Sequence, residues 1–370
     1  MNFNINIPVR IISGENCISN NSHLLKRLGK KALIVTGNTS AKKSGAFDDI
    51  ANALEKQEIE YTVYDKITEN PRLDHCHEAG KKAIDFKADF IIGIGGGSPL
   101  DAAKAVAVYA ANADMSQNEI YTKTERNRAL PIVAIGTTAG TGSEVGRVSV
   151  LTNPGTGRKK SIAPEDCFPS LTFADPSYTH SVPYGVTVST ALDALAHALE
   201  GYMSVKCDDI PTMFGERGII LIWEGLKHFY ETKSLPDSHL RQKLYYGSLY
   251  AGITLSYCGT AFPHPLGYIL TENYGVPHGM ACAAFMTDFI DRAAVHTPEK
   301  MNRILEITNT TAAEFKKIIS ALTDVGEIRM TAEEIEKYCE RFDVIPANFT
   351  FSPGGFTKKN AIQLFKNKYM

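Results

Sequence analysis

The sequence predicts an α/β fold over residues 1–180 followed by an all-helical region over residues 181–370. Three observations carry this expectation. Short apolar runs of strand length alternate with helical stretches in the first part, the order that builds a parallel sheet with helices on both faces. The clearest run, "DFIIGIGGG" (Asp89 to Gly97), is apolar throughout, as a strand buried on both faces is. After about Ser181 strand signals nearly vanish and helical patterns take over.

The elements follow in order. "MNFNINIPVRIIS" alternates like an edge strand that seeks a partner. "KKALIVTG" (Lys30 to Gly37) is a short apolar run ending in Gly, and "EIEYTVYD" (Glu58 to Asp65) is rich in β-branched and aromatic residues. "LPIVAIGTT" (Leu130 to Thr138) is a further buried strand. Helical stretches separate these runs over Lys43 to Gln57, Arg72 to Lys87 and Pro99 to Ala111. In the second part, Thr311 and Thr331 each stand three residues before a Glu, the capping-box spacing that opens a helix. No internal repeat or low-complexity segment interrupts the chain.

Composition narrows the function classes. With 370 residues and a formal net charge of −2, the chain has room for two full cores and carries no electrostatic footprint for nucleic acid. No run of eighteen apolar residues predicts a membrane span, and no basic segment followed by an apolar one predicts a signal peptide. The seven cysteines are scattered and form no CxxC pair. That pattern fits reduced thiols in a cytoplasmic protein better than a disulfide framework.

Two loops and one helix carry the chemistry. "GIGGGSPLDAAKAVA" follows a buried strand; Ser98 suits the cap of the next helix and Pro99 its first turn. Consecutive glycines let a backbone approach a bulky anion, and a helix N-terminus offers N–H groups and a positive dipole end. The same segment also serves as a tight turn with no ligand. "GTTAGTGSEV" (Gly136 to Val145) ends another strand, and in a doubly wound sheet both loops face one crevice. There Thr137, Thr138, Thr141 and Ser143 would offer hydroxyls to phosphate or ribose.

In "ALDALAHALEGY", Asp193 and His197 lie four residues apart on a mostly apolar helix and share a face. A buried carboxylate needs a partner. An Asp–His hydrogen bond, an Arg facing Asp193, and a metal ion all satisfy that need. "GTAFPHPLGYILTENYGVPHGM" brings His264 and His278 into another apolar neighbourhood, which completes a set of one carboxylate and three imidazoles. Such donors suit one first-row divalent ion per chain, Fe²⁺ or Zn²⁺. His75 and His77, two apart on a polar helix, read as solvated; His23, His180, His228 and His296 read as surface or capping residues.

Together "GIGGGSPLDAAKAVA", "IGTTAGTGSEV", "ALDALAHALEGY" and "PHPLGYILTENYGVPHGM" resemble the iron-containing alcohol dehydrogenase family, in order and spacing, from about residue 30 to 290. The resemblance implies the family's fold, shared with dehydroquinate synthase: a Rossmann-like dinucleotide-binding N-terminal domain and a helical, metal-binding C-terminal domain that also holds the substrate. It implies Asp193, His197, His264 and His278 as metal ligands. It places Gly95, Gly96, Gly97, Ser98 and Asp101 around the pyrophosphate, Thr137, Thr138 and Thr141 against the cofactor, Asn70 near its adenosine half and Lys160 near its nicotinamide end. Where many members carry a further histidine, four residues after the third ligand, this chain has Tyr268.

The expected activity is that of a metal-dependent, NAD(P)-linked alcohol dehydrogenase or aldehyde reductase. The ion lowers the pKa of a small alcohol's oxygen and the nicotinamide exchanges hydride with its carbon. Beyond that oxygen no side chain is assigned a catalytic role. Two alternatives are a glycerol dehydrogenase-like polyol oxidoreductase and a noncatalytic nucleotide- or metal-binding protein. A dehydroquinate-synthase-like lyase would need a basic cluster for an acidic phosphate substrate, and none accompanies these motifs.

The strand "KKALIVTG" ends at Gly37, where NAD-preferring members carry Asp; Gly37, Asn38, Thr39 and Ser40, with Lys42 or Lys43, leave room for a 2′-phosphate and can bind it. NADP(H) is therefore expected over NAD(H). A homodimer is expected from the resemblance and the N-terminal edge strand.

Overall fold

The computed structural model describes residues 5–370, and the chain divides into two compact units whose main bodies are Asn6–Pro183 and Tyr184–Met370. In the first unit, six parallel strands form one sheet: β1 (Arg10–Ser13), β2 (Lys31–Thr36), β3 (Glu60–Tyr64), β4 (Phe90–Gly95), β5 (Ile132–Gly136) and β8 (Leu171–Ala174). Their spatial order is β1-β8-β5-β4-β2-β3. A separate antiparallel hairpin pairs β6 (Ser149–Thr152) with β7 (Lys159–Ile162).

The central strands are buried almost along their whole length, which is why β4 and β5 read as unbroken apolar runs. Alternate residues feed two cores. Leu33, Val35, Ile91 and Ile132 point to one face, where α2 (Leu73–Phe86) and α3 (Gly97–Ala110) pack. Ala32, Ile34, Ile92, Ile94, Val133 and Ile135 point to the other, against α1 (Ala46–Lys56). Helix α1 buries Ala46, Ile50, Ala53 and Leu54, the spacing of a single helical stripe.

Chain order fixes where a ligand crevice opens. From β2 the chain moves outward to β3, then returns to the other side of β2 for β4 and continues to β5. This reversal puts a topological switch point at the carboxyl ends of β2 and β4.

The second unit is helical throughout its named elements. Its core helices are α4 (Tyr184–Met203), α5 (Asp209–Thr232) and α6 (Ser238–Cys258), followed by α7 (Pro263–Tyr274) and α8 (His278–Ala283). Asp208 caps α5 by accepting from the Ile210 N–H, and Asp237 caps α6 through the Leu240 N–H. Helix α4 buries sixteen of its twenty residues, so no wide solvent-facing stripe tells which of its faces carries chemistry.

Several expectations need correction. Ser98 is not the cap of α3: the helix already starts at Gly97, and the Ser98 hydroxyl accepts from the Asn70 N–H at 3.2 Å. Thr331 makes the full reciprocal capping box, whereas Thr311 only accepts from the Glu314 N–H. His75 and His77 are half-buried, not solvated; His77 packs edge-on against Tyr109 and its Nε2 lies 3.2 Å from the Met115 carbonyl. The His75 Nδ1 atom is buried and has no hydrogen-bond partner among the described residues. The β6–β7 hairpin went unseen, because "SVLT" and "KKSI" are four residues each and the second is mostly polar. Of the N-terminal alternating segment, only Arg10–Ser13 is strand; residues 1–4 lie outside the described residues.

Candidate metal centre and cofactor loops

Asp193 sits in mid-α4 at 3 % exposure, and its Oδ1 atom is the hub of the polar cluster in the helical unit. Three imidazole Nε2 atoms surround it: His278 at 3.7 Å, His264 at 3.8 Å and His197 at 3.9 Å. These distances exceed a hydrogen bond. The Asp193–His197 hydrogen bond considered from sequence is therefore not made. Asp193 Oδ1 and His264 Nε2 are both buried without a hydrogen-bond partner. Orphaned buried polar atoms are costly, and two converging on one point call for something between them. Donors of a tetrahedral ion with bonds of about 2.0–2.2 Å stand roughly 3.3–3.6 Å apart, close to the spacing seen. The donor set fits a divalent metal.

The local sequence explains the convergence. Asp193 and His197 share a face of α4 by their i, i+4 spacing. His264 is in the first turn of α7, and His278 opens α8. Helix α8 can bring His278 in because Gly279 has no side chain: a Cβ there would stand 1.9 Å from the Ser189 carbonyl oxygen on α4. His197 and His264 stack with ring centroids 4.6 Å apart, and Tyr268 stacks on His278 at 5.5 Å.

Two members of this cluster were missed in the sequence. Glu200, fully buried, lies one turn beyond His197; its Oε1 is 2.7 Å from His264 Nδ1 and its Oε2 accepts the Ala261 N–H at 2.6 Å. A carboxylate on the far nitrogen fixes the ring and turns Nε2 toward Asp193. Burial alone would lower the His264 imidazole, but the neighbouring Cys282 and Glu200 hold it well above its ordinary value. Burial pushes the Glu200 carboxyl up against the pull of His264. Cys282, also fully buried, is the other missed residue, with its Sγ 3.7 Å from His278 Nδ1. The signal for both was the helical period already used for Asp193: Glu200 is at i+7 from it, and Cys282 at i+4 from His278.

In the α/β unit, Gly95 pairs with Gly136 in the β4–β5 register, so the glycine and threonine loops leave neighbouring strands at one level. They pack on each other. A Cβ on Gly97 would stand 2.5 Å from Thr141 Cγ2, and one on Gly96 would stand 3.1 Å from Thr138 Oγ1. Gly95 has φ +147°, outside the reach of ordinary side chains, and a Cβ there would meet Pro99 at 2.6 Å. Internal packing thus already demands the three glycines. No side chain caps α3, which leaves the anion-binding character of its N-terminus intact.

Asp101 and Ser143 are turned inward. The Ser143 hydroxyl donates to Asp101 Oδ1 at 2.6 Å and accepts from Lys104 Nζ at 2.7 Å, so it is not the free hydroxyl expected for a cofactor. Asp101 Oδ2 accepts the Val150 N–H at 2.8 Å. These bonds tie α3 to the threonine loop and to β6. Glu144 beside them is 2 % exposed, and desolvation raises its carboxyl to about 7. Thr137 is buried, while Thr138 and Thr141 are partly open. Asn70, with φ +55°, is held to the glycine loop through Ser98. Lys160 is exposed on β7, its ammonium 4.5 Å from the Tyr121 ring centre. Gly37 follows the last residue of β2 at the switch point, and Asn38, Thr39 and Ser40 after it are exposed.

Known proteins match along the whole chain. Residues 8–176 match the iron-containing alcohol dehydrogenase family, and residues 187–345 match the C-terminal part of the Fe-containing alcohol dehydrogenase family. A 1,3-propanediol dehydrogenase of Klebsiella pneumoniae is 31% identical over 88% of this chain and 86% of its own length. The crystal structure of an iron-containing alcohol dehydrogenase from Thermotoga maritima is 33% identical with a TM-score of 0.89, covering 98% of each chain. A sulfoacetaldehyde reductase from Bifidobacterium kashiwanohense, solved in complex with NAD⁺, is 25% identical with a TM-score of 0.87, covering 99% of this chain and 98% of its own. The chain belongs to the iron-containing alcohol dehydrogenase family, and its function is that of a metal-dependent alcohol dehydrogenase or aldehyde reductase.

Proposed function

We propose that Asp193, His197, His264 and His278 hold one divalent ion per chain, Fe²⁺ or Zn²⁺, and that the loops after β2, β4 and β5 hold a nicotinamide dinucleotide. The substrate is a small alcohol or aldehyde. The observation that carries the metal reading is Asp193 Oδ1, buried and without a hydrogen bond, with three Nε2 atoms at 3.7–3.9 Å. The ion supplies Lewis acidity toward an alcohol or carbonyl oxygen, and the nicotinamide supplies the hydride exchange. Asp193 contributes the negative charge of the set. Glu200 holds the His264 tautomer that presents Nε2. On the cofactor side, Gly95, Gly96, Gly97 and Ser98 present the α3 N-terminus to the pyrophosphate, and Thr138 and Thr141 border it. Thr137 supports that loop through its N–H bond to the Gly95 carbonyl at 2.8 Å, and Asp101 supports it through Ser143. Metal analysis tests the set: His264→Ala should lose metal content and turnover together, and full retention of both would sink the assignment.

Within NAD(P)(H), we propose a preference for NADP(H). Gly37, just after the switch-point strand, brings no carboxylate, and Asn38, Thr39, Ser40 and Lys43 are exposed beside it. The test is catalytic efficiency with both cofactors in wild type and Gly37→Asp. A Cβ at Gly37 comes within 3.1 Å of the Ile67 carbonyl, so Gly37→Ala is the control that separates bulk from charge. Equal or better use of NADH by the wild type would end this reading. The bound NAD⁺ of the Bifidobacterium relative makes the comparison worth running.

A homodimer is proposed on β1, an edge strand partnered only by β8 among the described residues. A monomeric mass by light scattering at micromolar concentration counts against it. No helix of the described residues is long and apolar enough to cross a membrane, and all seven cysteines are free thiols; a cytoplasmic location is the proposal that suits them.

A further inference from the structure

We propose that Cys207 and Cys258 form an oxidation site, joined by a hydroperoxide in a reversible disulfide, and, on the footing of the metal reading above, that this bond slows turnover by disturbing the segment that aims His264. Cys207 lies in the loop between α4 and α5, and Cys258 is the last residue of α6. Both are free thiols, and the Cys258 S–H donates a hydrogen bond to the Cys207 sulfur. Ser204 ties the two backbones together. Its carbonyl accepts the Cys207 N–H at 3.1 Å, and its hydroxyl donates to the Cys258 carbonyl at 2.9 Å. Two segments far apart in the chain thus hold the sulfurs against each other.

The pair divides into an attacking and a resolving thiol. Cys207 is half-buried and follows the exposed Val205 and Lys206, so a small oxidant reaches it, whereas Cys258 is buried. The hydrogen bond from Cys258 lowers the Cys207 thiol, and Thr212 and the Lys300 ammonium lower it further against burial. The same hydrogen bond, with burial, raises the Cys258 thiol. The thiolate is the nucleophile, so Cys207 attacks first. Its sulfur bonds one oxygen of the hydroperoxide, the O–O bond breaks, and the other oxygen leaves as an alcohol, or as water from hydrogen peroxide. Cys207 is then a sulfenic acid. Cys258 loses its proton and attacks that sulfur; the S–S bond forms, the S–O bond breaks, and the oxygen leaves as water. A dithiol reductant reverses the bond by exchange. Transient disulfides of this kind are the ones that reducing compartments allow. The effect reaches His264 along the chain. Gly259 ends α6 with φ +71°, and two residues later the Ala261 N–H donates to Glu200, which orients His264. Closing the sulfurs to an S–S bond of about 2.0 Å pulls the end of α6 toward Cys207 and shifts that N–H.

The test treats the full-length protein, loaded with Zn²⁺ so that peroxide does not oxidise the ion, with one equivalent of hydrogen peroxide. Free thiols, peptide masses without reductant, and turnover are then read. The expected result is the loss of two thiols, a linked Cys207–Cys258 peptide, and turnover lowered about tenfold, the loss typical of a disturbed orienting group. Dithiothreitol should reverse all three. Cys207→Ser should form no linked peptide and keep its turnover in peroxide. Cys258→Ser should stop at a Cys207 sulfenic acid that dimedone traps. A wild type in which both cysteines stay open to alkylation, or in which Cys207 runs on to sulfinic acid without a linked peptide, overturns the site. A linked peptide with unchanged turnover, or a loss of turnover that persists in Cys207→Ser, overturns the effect on His264. Metal content measured before oxidation keeps the two readings apart: a reduced chain that takes up no divalent ion sinks the metal reading, while the linked peptide still decides the oxidation site.

Discussion

The two candidate sites of this chain are built in opposite ways. The cofactor loops are made from backbone: Gly95 to Ser98 and Gly136 to Ser143 are contiguous, and what they offer is space, a helix N-terminus and close loop packing. The candidate metal centre is made from side chains that three helices bring in from as far apart as Asp193 and His278. A backbone site tolerates side-chain changes around it but no added volume within it. A side-chain site depends on each donor and on the groups that aim the donors. Substitutions in the two sites should therefore fail in different ways.

Asp193→Asn should break the metal centre and leave the cofactor loops intact. Lewis-acid stabilisation is worth several kcal/mol, so turnover should fall by about a thousandfold or more. Nucleotide binding by fluorescence titration should persist. If metal content and turnover both survive, Asp193 is not the hub of the site.

Glu200→Gln tests whether aim matters as well as donation. Groups that orient a ligand typically contribute about 10–100-fold in metal affinity or activity. The variant should show that loss in a chelator competition assay, and unchanged affinity would reduce Glu200 to a core residue.

Glu144→Gln addresses the scaffold of the threonine loop. The Glu144 carboxyl is buried near Lys104 and Asp101, and desolvation raises it to about 7 from 4.5. The fold therefore favours the protonated acid and takes up a proton between those values. The stability this group allows is present below about 4.5 and is lost as pH rises through about 7. Thermal unfolding against pH should be flatter in Glu144→Gln, with a gain on the order of 3 kcal/mol at pH 8. A variant with the wild-type pH profile would show that Glu144 does not titrate as described.

Gly97→Ala adds volume to the backbone site. Its Cβ would stand 2.5 Å from Thr141 Cγ2, and overpacking of that kind costs about 1–3 kcal/mol. The KM for the nucleotide should rise about tenfold with metal content unchanged. Loss of metal instead would show that the two sites are not separable in this way.

Tyr268→Phe is the smallest. Tyr268 stacks on His278, and a phenol with an ordinary pKa of about 10 relays protons poorly near neutrality. Turnover should fall only a few-fold. A thousandfold loss at normal metal content would make the hydroxyl a proton carrier.

How far each site could be read in the sequence follows from the same contrast. The glycine and threonine loops were legible because a strand-to-helix turn carries its information in neighbouring residues. What sequence could not show was that Gly96 and Gly97 answer to Thr138 and Thr141 across the loops, or that Ser98 and Ser143 direct their hydroxyls inward. The Asp193–His197 pair was legible as one helix face. The approach of His264 and His278 was inferred from their setting, since no local period links α4 to α7 and α8.

By itself the sequence determined the periods: continuous apolar runs for β4 and β5, a carboxylate and an imidazole one turn apart on α4, and a His–Pro context for the distant ligands. Periodicity is a local property, and it constrains which side chains share a face. Only the tertiary structure decided what those faces meet. The unguarded approach at Gly279 lets α8 bring His278 and Cys282 to Asp193, and the 2.7 Å contact of Glu200 aims His264. Which buried atoms are left without partners is a sum over the whole fold, because a polar group is satisfied or orphaned only by what other segments place against it.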